Sequence, residues 1–285
     1  MPSILDLRRR IRSVKNTQKI TRAMKMVAAA RLRRSQERVL NARPYAQEMR
    51  RFLASLAART EDRSHPLLVQ RPVRKSLLVL VTADRGLAGA FNANLIRAGQ
   101  RYLAGHRDLE IQMLAVGRKA RDFFRKRPVK LAGEYVNLFQ RRVEFSAARE
   151  VAARVIELYA KQEVDAVDLV YSEFKSLLSA KLAEVRLLPF EPDKPAQGET
   201  LVDYIYEQPP EEIFAHLLPR YIESEIYRAL LESQAAEYAA KMMAMDTATN
   251  NAGELIDSLT LHLNRVRQAA ITKEIIEIVS GASAL

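Results

Sequence analysis

The sequence predicts an α/β fold in which the N- and C-terminal segments form a long antiparallel coiled coil and the chain between them forms an inserted α/β domain. Three observations predict it: an apolar seam in alternating three- and four-residue steps at the start, the same spacing near the end, and an alternation of short apolar runs with helical patterns between. A length of 285 residues suits paired helices plus one domain of about 130 residues better than two equal globules. The expected boundaries are residues 1–59, 75–206 and 209–285.

In the first segment Ile4, Leu7, Ile11, Val14, Gln18, Thr21, Lys25, Ala28, Leu32, Ser35, Val39 and Ala42 form the seam. Its middle is polar. Gln18, Thr21 and Lys25 would weaken an ordinary zipper, so that stretch is either loosely paired or used against something other than the partner helix. Glycine is absent, and Pro44, which lacks an N–H, is expected to bend the helix. A helix from Ser3 to about Ala58 would be about 80 Å long, more than a domain of this size can bury along its whole length.

The insert opens with Ser76 to Val81, an apolar run followed by Thr82-Ala83-Asp84-Arg85-Gly86-Leu87-Ala88-Gly89-Ala90 and a helical pattern from Phe91 to about Leu103: strand, turn and helix. A second unit follows as Glu110 to Val116 and Arg118 to Lys126, and a third as a helix from Ala147 to Gln162 leading into Val167 to Tyr171. Such alternation implies a mostly parallel, Rossmann-like sheet with helices packed on it. Further strands are expected at Ala180 to Phe190 and Leu201 to Tyr206, separated by a polar loop.

The C-terminal helix starts after Gln208-Pro209-Pro210, where proline is tolerated and Glu211 and Glu212 suit the positive end of the dipole. Ile256, Leu259, Leu263, Val266 and Ala270 repeat the three-four spacing, and Ala235, Ala236, Ala239, Ala240, Ala244 and Ala248 permit close helix approach. Near Ile275, Ile276, Ile278 and Val279 the apolar residues no longer keep to one face, which implies contacts on several sides. Gly281 is placed to end the helix, leaving Ala282 to Leu285 as an apolar tail that needs a covering partner. Because the insert returns the chain to its starting side, the two helices pair antiparallel.

With no cysteine there is no disulfide, thiolate nucleophile or zinc-thiolate site. His65, His106, His216 and His262 are scattered singly, without the i+3 or i+4 partner of a helical metal site. No stretch approaches the ~18 uncharged apolar residues needed to cross a bilayer, and the start lacks a long apolar run, so a soluble intracellular protein is expected. The net charge of +12 is uneven: the first helix is crowded with arginine and lysine from Arg8 to Arg38, while the chain from Glu199 onward is acidic overall. That asymmetry invites a nucleic acid, an anionic membrane surface or an acidic protein as partner, or simply neutralisation by a neighbouring helix. Gly86 and Gly89 lack the Gly-x-Gly-x-x-Gly spacing, so the turn reads as a βα connection without ligand in preference to a phosphate-binding turn, with Asp84 and Arg85 either a catalytic pair or, as is commoner, a cap and its counter-charge. No catalytic set emerges.

Three stretches are recognisable together: Ile11-Arg12-Ser13-Val14-Lys15-Asn16-Thr17-Gln18-Lys19-Ile20-Thr21-Arg22-Ala23-Met24-Lys25-Met26-Val27-Ala28-Ala29-Ala30, Asp84-Arg85-Gly86-Leu87-Ala88-Gly89-Ala90-Phe91-Asn92, and the C-terminal run Ile271-Thr272-Lys273-Glu274 to Gly281-Ala282. Together, and in order along the whole chain, they resemble the gamma subunits of F-type ATP synthases. The resemblance implies a central rotor shaft without an active site or cofactor. Its coiled coil would stand inside a hexamer of three alpha and three beta subunits, with the insert below beside the epsilon subunit and the membrane c-ring. Carried over residue by residue, Arg22, Met24 and Lys25 would meet the beta-subunit lever, and Arg265, Arg267, Gln268 and Thr272 the beta catch loop. Ile275, Ile276 and Val279, in the tip from Ile275 to Leu285, would turn in an apolar sleeve, and Tyr206, Glu207 and Gln208 would face the c-ring at the foot. The family's chloroplast members carry a thiol pair that is absent here, so light-driven thiol regulation is not expected. A peripheral position on the cytoplasmic face of a bacterial inner membrane is expected, with membrane contact only through the complex.

Two other classes remain in view from the residues alone. A nucleic-acid-binding coiled coil would use the basic first helix, which nearly lacks aromatics for base stacking. A small α/β enzyme would use the Gly86 to Gly89 turn. Neither explains the apolar C-terminal tip.

Overall fold

Leu77 to Val81 and Met113 to Val116 are uncharged and fully buried, as strands covered on both faces of a parallel sheet must be. They lie at the centre of the insert in a computed structural model that describes residues 3–59, 65–139, 142–177, 179–191 and 209–282. The elements are α1 (Ile4–Arg59), β1 (Lys75–Val81), α2 (Phe91–Gly105), β2 (Glu110–Val116), α3 (Arg118–Phe124), β3 (Lys130–Tyr135), α4 (Phe145–Ala160), β4 (Ala166–Phe174), β5 (Ala180–Leu188) and α5 (Pro210–Ala282). The expected strand at Leu201 to Tyr206 and the foot residues Tyr206, Glu207 and Gln208 lie outside the described residues.

The sheet order is β3-β2-β1-β4-β5. The first four strands are parallel, joined through α2, α3 and α4, and β5 returns antiparallel to β4 over Val167↔Leu188 to Phe174↔Ala180. This is the mostly parallel α/β sheet expected, with one strand the sequence pattern does not announce. β3 is an edge strand of half-exposed residues, KLAGEY, lacking an apolar run and paired to β2 through a register shift at Met113/Leu114. Asp165 positions the start of β1 by accepting the Arg74 and Lys75 amides at 3.0 and 2.9 Å.

The chain divides into two compact units. One holds the insert together with α1 from Ala30 onward and α5 as far as Ala240. In it α5 is buried all round from Ala229 to Ala239, including the polar Glu232, Ser233, Gln234 and Glu237. Edge-to-face ring pairs Phe190–Tyr221 and Phe145–Tyr227 seat α5, and Arg38 of α1 donates to the Val143 carbonyl and to Tyr227 Oη. α1 stays helical through Pro44, and α5 through Pro219. The other unit comprises residues 1–29 and 241–285, in which the first part of α1 pairs with the last part of α5. Gly281 does not end α5; the helix runs through it to Ala282.

Candidate partner interface

The apolar seam of α1 faces inward at every step: Leu7, Thr21, Ala28, Leu32, Ser35 and Val39 are buried, and the other seam residues are half-buried. Its polar middle is paired with α5. Gln18 Nε2 donates to the Thr249 carbonyl at 3.4 Å, Thr249 Oγ1 donates to Thr21 Oγ1 at 2.8 Å, and Lys25 Nζ meets Asp246 Oδ1 at 2.5 Å. The stretch is not loosely paired: the helix partner satisfies these polar groups directly. Asp246 and Thr249 escaped sequence reasoning because they sit among alanines that read only as a small-residue face. The signal was available: a short acid and a hydroxyl sit at one seam level, complementary to a lysine and a hydroxyl.

These contacts run antiparallel, since higher numbers on α1 meet lower ones on α5. Carried back to Ile4, the same spacing ends the pairing near Val266. On α5 Ile256, Leu259, Leu263, Val266 and Ala270 are half-buried, and from Ile271 to Ser280 every described side chain is exposed. The large apolar ones are far from covered: Ile271 48%, Ile275 56%, Ile276 58%, Ile278 71% and Val279 62%. The contacts on several sides that their distribution implies are not made within the described residues of this chain.

The remaining candidate residues fall on two helical stretches. On α1 Arg22 is exposed, Met24 is half-buried and Lys25 is engaged by Asp246. The exposed face before them carries Arg8, Arg9, Arg10, Arg12, Lys15 and Lys19. On α5 Arg265, Arg267, Gln268 and Thr272 are exposed, with Thr272 Oγ1 donating back to the Gln268 carbonyl at 3.0 Å.

At the Gly86 to Gly89 turn the backbone is held from within. Asn92 Oδ1 accepts from the Ala83 amide at 3.0 Å and its Nδ2 donates to the Arg85 carbonyl at 3.2 Å. Asp84 is buried and serves as an anchor between loops, where sequence reasoning expected a cap with Arg85 as counter-charge. Its carboxylate accepts the amides of Arg118, Asn137 and Phe139 at 3.0, 2.7 and 3.0 Å, tying the start of α3 and the turn after β3 to the end of β1. Next to it Gly117 takes φ +94°, and a Cβ there would lie 2.1 Å from the Thr82 carbonyl oxygen.

A shallow cleft of about 390 Å³ lies between α2 and the sheet, lined by Arg101, Tyr102, His106, Val170, Leu182 and Glu184. Its most buried polar group is already engaged: Tyr102 Oη donates to Asp168 at 2.5 Å and shares a hydrogen bond with Ser76. Burial, then the hydrogen bond to Asp168, hold its phenol well above the usual range, so it is not a base. Among the described residues no three His, Asp or Glu side chains gather as metal ligands, and no helix is long and apolar enough to cross a membrane.

Comparison with known proteins matches the geometry. The family model described as ATP synthase matches residues 3–285. The ATP synthase gamma chain of Solibacter usitatus is 55% identical over 288 residues, covering 100% of this chain and 99% of that one. The gamma chain of Pelotomaculum thermopropionicum is 48% identical, with complete coverage of both. Among solved structures, the central stalk of the Tetrahymena thermophila mitochondrial ATP synthase is similar at 27% identity and TM-score 0.61, covering 80% of this chain and 99% of that one. A chain of the Euglena gracilis mitochondrial enzyme shares the fold, at 23% identity and TM-score 0.71 over 99% of this chain and 94% of that one. The nucleic-acid reading of the basic helix finds no support in any of these. The chain belongs to the ATP synthase gamma chain family, the central-stalk subunits of that complex.

Proposed function

We propose that this subunit is a non-catalytic rotor that couples ion-driven turning of a c-ring to conformational cycling of alpha/beta catalytic sites. One observation carries the reading. From Ile271 to Ser280 every described side chain of α5 is exposed, and the apolar ones, Ile271, Ile275, Ile276, Ile278 and Val279, stand at 48 to 71% exposure. An apolar surface of that kind needs an enclosing partner, and a sleeve formed by a ring of three alpha and three beta subunits provides one on every side of the helix.

An axle acts on such a ring only through unequal contact. A shaft that touches the three catalytic interfaces differently shifts each one's equilibrium by its differential interaction, and about 1.4 kcal/mol of difference changes a population tenfold. In this reading Arg22, Met24 and Lys25 meet the beta lever, with Arg22 and the exposed arginines before it answering acidic groups. Arg265, Arg267, Gln268 and Thr272 offer donors to the beta catch loop. Tyr206, Glu207 and Gln208 face the c-ring, beside the epsilon subunit. The complex would hold the chain peripherally on the cytoplasmic face of a bacterial inner membrane.

The test is assembly with the alpha and beta subunits of the same organism, following native mass and ATPase rate together. One copy of this chain per three alpha and three beta, with ATPase raised over the hexamer alone, is the expected result. Failure to enter the hexamer, or steep salt-sensitive binding to nucleic acid instead, would overturn the reading.

A further inference from the structure

The end of β4 is joined to the two long helices by polar groups. β1 pairs with β4 only as far as Leu80↔Val170, so the Ser172 and Phe174 amides beyond it have no β1 carbonyl to meet. α5 supplies substitutes: Ser233 Oγ accepts from Ser172 N at 3.3 Å, and the Glu232 carboxylate accepts from Phe174 N at 2.9 Å. Arg43 of α1 closes the figure. Its Nε and Nη2 donate to the two Glu232 oxygens at 2.8 and 3.1 Å, and Nη2 also donates to the Phe174 carbonyl at 2.7 Å. A helix from each end of the chain and the end of one strand thus share a single ring, in which the Glu232 side chain is fully buried and the Arg43 side chain is 30% exposed.

A buried ion pair is a weak source of net stability, because desolvation offsets most of its attraction and apolar side chains of similar volume often do as well. What the forked geometry adds is direction: a bidentate guanidinium–carboxylate contact has one productive orientation, whereas the ring pairs Phe190–Tyr221 and Phe145–Tyr227 tolerate sliding. Twisting the helices against the sheet at this point must therefore break charge-assisted bonds.

We propose that the ring formed by Arg43, Glu232 and the Phe174 backbone is the key through which torque passes between the α/β domain and the paired helices. This makes Arg43 and Glu232 positioning residues for the coupled reaction. The inference rests on the rotor reading above.

The test uses the whole complex in sealed vesicles and compares wild type with Glu232→Gln and with the apolar double variant Arg43→Met/Glu232→Leu. Both variants are expected to assemble and hydrolyse ATP, while coupling ions pumped per ATP hydrolysed, followed as protons and as sodium, fall by about threefold or more. In the full-length chain, exchange of the Phe174 amide is expected to speed up about tenfold or more in the double variant, with Leu169 in mid-strand unchanged. Unchanged pumping per ATP in assembled variants would overturn the proposal. Loss of assembly in both variants would overturn it too, by making the ring a requirement of folding. A wild-type chain that does not support coupled pumping would instead sink the rotor reading itself.

Discussion

Thr249 of α5 donates from Oγ1 to Thr21 Oγ1 of α1 at 2.8 Å, and Thr21 passes its own proton to the Gln18 carbonyl at 3.0 Å. The polar middle of the coil is thus a relay joining the two helices where leucines would ordinarily interlock. Removing the hydroxyl with Thr249→Val leaves Thr21 without its partner across the interface. The expected cost is about 1 kcal/mol, read as a lower denaturant midpoint at unchanged slope for the full chain. Lys25→Met nearby should cost less than about 1 kcal/mol and show a salt-dependent difference, since Lys25 and Asp246 are 41% and 37% exposed.

Two glycines of the insert should behave oppositely. Gly117→Ala forces a side chain into a φ of +94° and against the Thr82 carbonyl at 2.1 Å, with an expected loss of at least about 3 kcal/mol. Gly86→Ala meets nothing within 4 Å and should stay within about 0.5 kcal/mol of wild type. Thermal melts of the two variants check this, and ATPase of the complex carrying Gly86→Ala should be retained.

β1 and β2 are legible in the sequence because uninterrupted buried runs such as Leu77 to Val81 have one simple explanation. The α1 seam is legible because its three-four steps survive even where its residues are polar. β3 is not, since Lys130 and Glu134 flank a glycine and no residue of the strand is fully buried. Glu232 is hidden for a different reason: an acid in a long helix reads as a solvated face, and only the fold shows a strand end donating to it. Asp84 and Gly117 depend on loops distant in sequence, so spacing along the chain carries no trace of their roles. Near the end of α5 the apolar residues Ile275, Ile276, Ile278 and Val279 are legible because they stop keeping to one face, while the Asp246 and Thr249 partners needed the helix register.

His65 gives the fold a mild acid sensitivity. Its Nδ1 accepts the Leu67 amide at 3.2 Å, and burial lowers its pKa below the usual value of about 6.5. A depressed pKa means that the unfolded chain binds the proton first. The contribution is therefore complete above about pH 6.5 and is lost as pH falls through the lower, folded-state value. The protection of the Leu67 amide, taken as its exchange rate relative to an unstructured amide at the same pH, should fall between pH 7.5 and 5, and His65→Gln should flatten that dependence; equal protection profiles for the two would contradict the assignment.

The exposed α5 donors are expected to matter only in the complex. Alanine at Arg267 and Gln268 together should leave the melting of the isolated chain nearly unchanged, because both side chains are exposed. In the assembled enzyme the same change should impair assembly or coupling more than alanine at two exposed arginines of the insert, Arg107 and Arg125. Equal effects would argue against a catch-loop contact.

The rotor reading is tested most directly by watching the chain turn. Because the sequence has no cysteine, Arg107→Cys, at an exposed position between α2 and β2, gives one unique attachment point for a visible probe. With the alpha/beta hexamer fixed to a surface and ATP supplied, the probe is expected to rotate one way in steps of a third of a turn. Sustained ATP hydrolysis by complexes whose probe stays still would contradict the rotor reading.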